Sequence, residues 1–200
     1  MKIVFATGNE NKMREIREIL GSSFSEIRSM KDEGITSEAE ENGSSFEENA
    51  LIKARDIASH FSAADDIIVM ADDSGLEIDA LDGAPGIYSS RFMGEDTPYT
   101  VKNNALIEKL DSMPEKPRTA RFRCAIAAVL PGGKEYTAEG KIEGTIGYEE
   151  RGERGFGYDP IFIPLGGNRS TAEMSPDEKN AISHRGNALR AMKSLLEKEL

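Results

Sequence analysis

The sequence predicts a mixed α/β fold. Through the first half, short apolar runs alternate with amphipathic stretches of helical period. Two long strand-like runs then flank Pro131-Gly132-Gly133, and the chain closes on helical patterning. Alternating elements favour parallel pairing, whereas a hairpin requires antiparallel pairing, so the expected sheet is mixed and flanked by helices.

In chain order, Lys2-Ile3-Val4-Phe5-Ala6 is an apolar run suited to a buried strand. Met13, Ile16, Ile19 and Leu20 follow at helical spacing. Thr7 or Asn9 supplies the cap through a side-chain oxygen, and Gly8 permits a tight bend. Phe46, Ala50, Ala54, Ile57 and Phe61 form a second helical stripe, preceded by Ser45-x-x-Glu48, which has the form of a capping box. A strand at 67–71 ends in Asp72-Asp73-Ser74-Gly75, a composition ordinary for turns. Thr97-Pro98 reads as a cap followed by proline at the first helical position, leading to Val101, Ala105 and Leu110. Strands at 119–130 and 134–142 are joined by the Pro-Gly-Gly hairpin turn, and a further strand is expected at 160–163. Ser175-Pro176-Asp177-Glu178 repeats the cap-and-proline pattern, and Leu189, Met192 and Leu196 mark the last helix. No repeat or low-complexity segment interrupts residues 1–200, which read as one domain with a hairpin-rich second lobe at about 117–156.

Composition narrows the function. The chain has 200 residues, 38% of them hydrophobic, and a formal net charge of −11. That charge argues against coating nucleic acid, which needs a basic face. It permits one phosphate-bearing small molecule, because a local cluster dominates at short range. No apolar stretch approaches the roughly 20 residues of a membrane helix. Met1 leads directly into a core-like strand, so a signal peptide is not expected and a cytoplasmic protein is the simplest reading. Cys124 is the sole cysteine, which excludes an internal disulfide and any multi-cysteine metal site.

Four stretches carry chemistry. The turn Thr7-Gly8-Asn9-Glu10-Asn11-Lys12 stands at a helix start, where free backbone N–H groups with Lys12 would hold a phosphate; a simple capped turn is the alternative. The adjacent carboxylates Asp72 and Asp73 repel each other, and a divalent cation would relieve them. Mg²⁺ prefers one or two carboxylates plus waters and phosphates, and Glu40-Glu41 offers a further oxygen; a solvated turn is equally consistent with these residues. Asn49 and Lys53 share one helical face, where Lys53 is either a phosphate ligand or a surface lysine. Gly155-Phe156-Gly157-Tyr158-Asp159-Pro160 brings aromatic rings that either stack on a base or pack inward. Lys179, His184 and Arg185 lie around a helix start.

Taken together, the blocks Thr7-Gly8-Asn9-x-x-Lys12, Phe46-x-Glu48-Asn49-Ala50-x-x-Lys53-Ala54, Ala71-Asp72-Asp73-Ser74-Gly75-Leu76, Gly83-Ala84-Pro85-Gly86, Gly155 to Pro160 and Ser183-His184-Arg185-Gly186 resemble the inosine triphosphate pyrophosphatase family. They occur in order from Ile3 to Leu189, essentially the whole chain. The resemblance implies an elongated two-lobed α/β fold with a substrate cleft between the lobes, a homodimer, and Mg²⁺-dependent removal of deaminated purine nucleoside triphosphates from the nucleotide pool. It gives the triphosphate to the turn at 7–12, which includes Glu10 and Asn11. Lys53, Ser74 and Lys179 match further substrate contacts. Glu41 and Asp72 match metal ligands together with Asp73, which also matches the general base. Phe156, Gly157, Tyr158 and Asp159, with His184 and Arg185, match the base pocket. The tandem Glu40-Glu41 leaves two carboxylates for one ligand position, and Glu10 adds a negative charge that is expected to point outward. Two rival readings use the same residues: a non-catalytic nucleotide sensor, and a pyrophosphatase acting on modified pyrimidine nucleotides.

Overall fold

The computed structural model describes residues 2–37 and 39–199. Its centre is a six-stranded sheet in the order β2-β1-β3-β4-β5-β6. The strand β1 (Lys2–Phe5), apolar after Lys2, lies between β2 (Glu26–Ser29) and β3 (Ile67–Ile78), parallel to both. The strands β4 (Thr119–Val129) and β5 (Glu135–Ile146) form the expected hairpin, whose turn is closed by Leu130 N donating to Lys134 O at 2.8 Å and Gly133 N donating to Leu130 O at 2.9 Å. The short β6 (Phe162–Pro164) runs antiparallel to β5. The sheet is therefore mixed, as the sequence predicts. Strand β2 escapes the sequence pattern because Glu26 and Arg28 interrupt it; charges of this kind blunt an edge strand against further pairing.

Five α-helices are present among the described residues: α1 (Glu10–Leu20), α2 (Phe46–Ala58), α3 (Tyr99–Asp111), α4 (Pro176–Ile182) and α5 (His184–Glu199). Asn9 caps α1 and Ser175 caps α4 within a complete capping box. At α2 the box is shifted. Ser45 Oγ accepts from Glu48 N, but Glu48 Oε2 accepts from the amide and hydroxyl of Ser44 instead of Ser45. Phe61 lies beyond the end of α2. The expected start of α3 is also corrected. Pro98 itself occupies the cap position and Thr97 Oγ1 donates to Met93 O, so the helix has no side-chain cap. Val101 is exposed, and the inward face of α3 is Lys102, Asn103, Leu106, Ile107 and Leu110.

The largest departure is at β3. The sequence ends this strand at residue 71, yet it continues through Asp72-Asp73-Ser74-Gly75 to Ile78. The turn-like composition is overridden by sheet pairing, which satisfies the backbone, and by cations that meet the two carboxylates.

By contacts the chain divides into two compact units. The first comprises Met1–Asp73, Cys124–Gly140 and His184–Leu200, the second Ser74–Arg123 and Lys141–Ser183. The segment 117–156 contributes to both. The first unit has a core of Ile3, Phe5, Met13, Ile16, Ile68, Met70, Ile126, Leu189 and Met192 among others. The second is built around Leu76, Ile78, Leu106, Leu110, Phe122, Ile146, Tyr158, Ile161 and Phe162. Phe122 and Phe162 pack with ring centroids 4.6 Å apart, a favourable aromatic separation. No helix among the described residues is long and apolar enough to cross a membrane.

One glycine in the first unit fixes where α5 begins. A Cβ on Gly140 of β5 would lie 2.3 Å from both the amide of Ala188 and the carbonyl oxygen of His184. Backbone cannot yield as a flexible side chain would. Gly140→Ala is expected to lower the unfolding free energy by about 1–3 kcal/mol, the usual cost of overpacking, measured by urea titration.

Candidate active site

The two adjacent aspartates of β3 take different partners, as the alternation of side chains along a strand requires. Asp72 is 1% exposed. Its Oδ1 lies 3.1 Å from Lys12 Nζ on the first turn of α1. Its Oδ2 accepts from Arg185 Nη2 at 3.1 Å and from Nε at 3.3 Å. The other arm of Arg185, Nη1, donates to Glu15 Oε2 on α1. Burial pushes the Asp72 carboxyl up, but the charges of Lys12, Arg185 and Lys53 outweigh it and hold the group well below the usual carboxylate range. Burial likewise works against the Arg185 cation, and Asp72 and Glu15 more than restore it.

Asp73 faces a second cluster. Its Oδ1 accepts from Lys53 Nζ at 3.0 Å, and its Oδ2 from Asn49 Nδ2 at 3.3 Å. Lys53 Nζ also lies 3.3 Å from Glu41 Oε1. Asn49 is fully buried, and its Oδ1 accepts from Gly43 N at 2.9 Å, which pins the turn that follows Glu41. A Cβ at Gly43 would stand 2.7 Å from that same Asn49 oxygen, so the turn closes tightly on the helix. Burial raises Asp73 above its ordinary pKa and Glu41 adds to the rise, with Lys53 and Lys12 opposing it. Burial alone would lower Lys53, but Asp73, Asp72 and Glu41 raise it.

The turn before α1 is satisfied largely from within. Thr7 Oγ1 accepts from Asn9 N at 3.2 Å, and Asn9 Oδ1 accepts from the amides of Asn11 and Lys12 at 3.0 and 3.2 Å. Two amides expected to be open to an anion are thus capped by Asn9, and Asn9 is the cap in place of Thr7. Gly8, Asn9, Glu10 and Asn11 are exposed, and Lys12 is half-buried. Glu10 points outward to Lys31, 3.5 Å away.

The residues expected at the base pocket separate into two groups. His184 and Arg185 open α5 in the first unit, both buried. The turn 155–159 belongs to the second unit. Gly155 and Gly157 both have positive φ, and a Cβ on Gly155 would stand 2.2 Å from Asp159 Oδ2. Asp159 is buried; its Oδ2 accepts from Phe156 N at 2.8 Å and pairs with Lys179, and its Oδ1 accepts from Thr171 Oγ1 at 2.8 Å. Lys179 Nζ stands 5.2 Å from the centroid of the Phe156 ring. Tyr158 is buried, with its hydroxyl donating to Ser89 O at 2.7 Å and its ring edge-on to Tyr99. Of the two rings the sequence offers for stacking, Phe156 is the half-buried one and Tyr158 is packed inward. Ser74, half-buried, is the first residue of this unit.

Comparison with known proteins decides the family. The model of the Ham1 family matches residues 3–195. The chain belongs to the Ham1 family. A protein of Exiguobacterium sibiricum called dITP/XTP pyrophosphatase is 47% identical over 98% of this chain and 97% of its own. One of the same name from Bacillus subtilis is 45% identical over 97% of this chain and 96% of its own. Among solved structures, a HAM1 protein from Coxiella burnetii superposes with a TM-score of 0.85 at 38% identity over 99% of each chain. The Ham1 protein of Staphylococcus aureus gives 0.84 at 35% identity over the whole of both. The family recognised from the motifs and the α/β fold implied by them are thereby shown.

Within this Ham1 family chain, the structure brings Lys12, Asp72 and Arg185 together, and separately Glu41, Lys53 and Asp73. Among the described residues no three acidic, histidine or cysteine side chains gather as a metal-holding group. The reason is visible in Asp72, both of whose oxygens face cations. Glu41 and Asp73 both meet the Lys53 ammonium, and their oxygens are hard donors of the kind Mg²⁺ takes. Glu15 is the site residue that sequence reasoning missed. It lies three residues after Lys12 and so on the same side of α1, but nothing local marks its arginine partner, 170 positions away.

Because Asp72 neutralises two cations at no more than 1% exposure, truncating it leaves the buried Arg185 with Glu15 and takes from Lys12 its carboxylate partner. Asp72→Ala is expected to cost about 3–5 kcal/mol of stability, the usual result of breaking a buried ion pair, read from the denaturation midpoint.

Proposed function

We propose that this protein hydrolyses deaminated purine nucleoside triphosphates (ITP, dITP, XTP and dXTP) to the monophosphate and pyrophosphate. The observation that carries the reading is Asp73, a buried carboxylate with a raised pKa set beside Lys53, in a chain that matches dITP/XTP pyrophosphatases over nearly its full length. The names of those relatives support hydrolysis of non-canonical purine nucleotides as the class of reaction.

In this mechanism Asp73, held by Lys53 and Asn49, orients a water and takes its proton. Attack at the α-phosphorus adds negative charge to the phosphate oxygens, and Lys12 and Lys53 stabilise that charge through fixed ammonium groups. The α–β bond breaks and pyrophosphate leaves. Glu41, Asp72 and Asp73 are the carboxylates that would hold Mg²⁺, and Asp72 also meets Lys12 and Arg185. Mg²⁺, when bound, supplies further neutralisation of the triphosphate. Asn49 keeps Asp73 and the Glu41 turn in register. The Phe156 face receives the base. Arg185, which the resemblance matches to the base pocket, bonds Asp72 and Glu15 here. A homodimer, which the resemblance implies, and a cytoplasmic setting belong to the same reading.

Two tests follow from the chemistry. Inosine triphosphate with Mg²⁺ is expected to give inosine monophosphate and pyrophosphate, with orthophosphate appearing only after an inorganic pyrophosphatase is added. Direct formation of inosine diphosphate would sink the mechanism, and tight binding without turnover would identify a sensor.

Replacing the base separates chemistry from binding. Asp73→Asn is expected to lower kcat by roughly a hundredfold or more with little change in nucleotide affinity, in line with general-base contributions. Lys12→Ala is expected to weaken binding instead. Near-normal turnover by Asp73→Asn in steady-state assays would remove Asp73 from this role.

A further inference from the structure

Helix α3 buries two polar residues that no part of the reaction uses. Lys102 and Asn103 are 0% and 1% exposed. Lys102 Nζ donates to the carbonyl oxygen of Ser90 at 2.7 Å and lies 4.9 Å from the centroid of the Tyr99 ring. Asn103 Nδ2 donates to Glu150 Oε1 at 2.6 Å and to the carbonyl oxygen of Gly157 at 3.3 Å. Gly157 is the residue after Phe156, inside the aromatic turn.

The segment held by Lys102 is itself tied to that turn. The carbonyl oxygens of Ser89 and Ser90 are taken by two buried donors, the Tyr158 hydroxyl and the Lys102 ammonium. Ser89 Oγ accepts from Leu76 N of β3 at 2.9 Å and donates to Gly86 O at 2.6 Å. Leu76 is two residues after Ser74 on the same strand. The turn carrying Phe156 is thus braced through Ser89 to β3, through Asn103 to α3, and through Tyr99 edge-on to Tyr158.

We propose that Tyr158, Asn103 and Ser89 are positioning residues that form a clamp holding the Phe156 ring in the orientation that accepts the purine. Tyr158 acts here through its hydroxyl bond to Ser89. Buried donors of this kind are costly to leave unpaired, so the clamp has one low-energy arrangement. It preorganises the turn, whose two positive-φ glycines would otherwise make it mobile.

The inference rests on Phe156 receiving the base, and its test has a readout independent of that reading. Tyr158→Phe removes the hydroxyl and keeps the ring; Asn103→Ala is the second variant, should the first not fold. Below the melting temperature, each is expected to raise KM for inosine triphosphate about tenfold with kcat within about twofold, the size of one lost buried hydrogen bond. The preference for inosine triphosphate over ATP should fall with it. Amide exchange in a peptide spanning 153–160 is expected to accelerate about tenfold in both variants without nucleotide, reporting local opening of the turn. Unchanged exchange there, or a lower melting temperature with KM and preference intact, would overturn the clamp. Accelerated exchange in both variants, with an unmodified protein that does not hydrolyse inosine triphosphate at all, would leave the clamp standing and overturn the functional reading instead.

Discussion

Much of the first unit depends on the buried carboxylate of Asp72. Removing a carboxylate from water costs several kcal/mol, and here the cost is offset by two cations that approach its two oxygens from different helices. Lys12 comes from the start of α1 and Arg185 from the start of α5, so one side chain on β3 fixes both helix starts at the sheet. Glu15 completes the arrangement by occupying the remaining arm of Arg185. Arg185, the largest of the fully buried side chains, is tolerable inside only because carboxylates meet it from both β3 and α1.

The second unit repeats the device. Asp159 is a buried aspartate whose oxygens are satisfied by Lys179, Thr171 and the amide of Phe156. In both units a carboxylate is locked by a lysine and further donors, and a residue that the proposed mechanism uses lies close by in the chain: Asp73 after Asp72, Phe156 three residues before Asp159. Each working group is thereby held by a neighbour that has given up its own freedom. The contrast between Asp72 and Asp73 shows the consequence. Asp72 meets cations at both oxygens and is held far below the carboxylate range, while Asp73 shares Lys53 with Glu41 and is pushed up by burial. Adjacent residues of one type acquire opposite acidity because a strand turns them to different surroundings.

Local patterns account for much of what the sequence made legible. The apolar run at the first strand, the stripes of α1, α2 and α5, the Ser175 cap with proline after it and the Pro-Gly-Gly hairpin each follow from interactions within a few residues, and each is present in the structure. The motif blocks were legible for the same reason: Thr7 to Lys12, Asp72 to Gly75 and Gly155 to Pro160 are contiguous, and their order along the chain carries the family resemblance. Elements set by competition read less well. Strand β3 ran on past residue 71 because sheet pairing and cations outweighed a turn-like composition. Thr97 lost the cap of α3 to Pro98, and the inward face of that helix includes Lys102 and Asn103, which pattern alone assigns to solvent.

By itself, then, the sequence determined the mixed α/β class, the family, and which residues are available for chemistry, since these depend on short-range spacing and on residue type. Tertiary structure decided the pairings: Arg185 with Asp72 and Glu15, Lys53 between Asp73 and Glu41, Tyr158 with Ser89. The physical reason is separation along the chain. Arg185 and Glu15 stand 170 residues apart and Tyr158 and Ser89 stand 69 apart, so no local preference encodes their meeting. Only when the sheet brings them into a low-dielectric interior does an unpaired charge or hydroxyl become costly enough to select one partner among many.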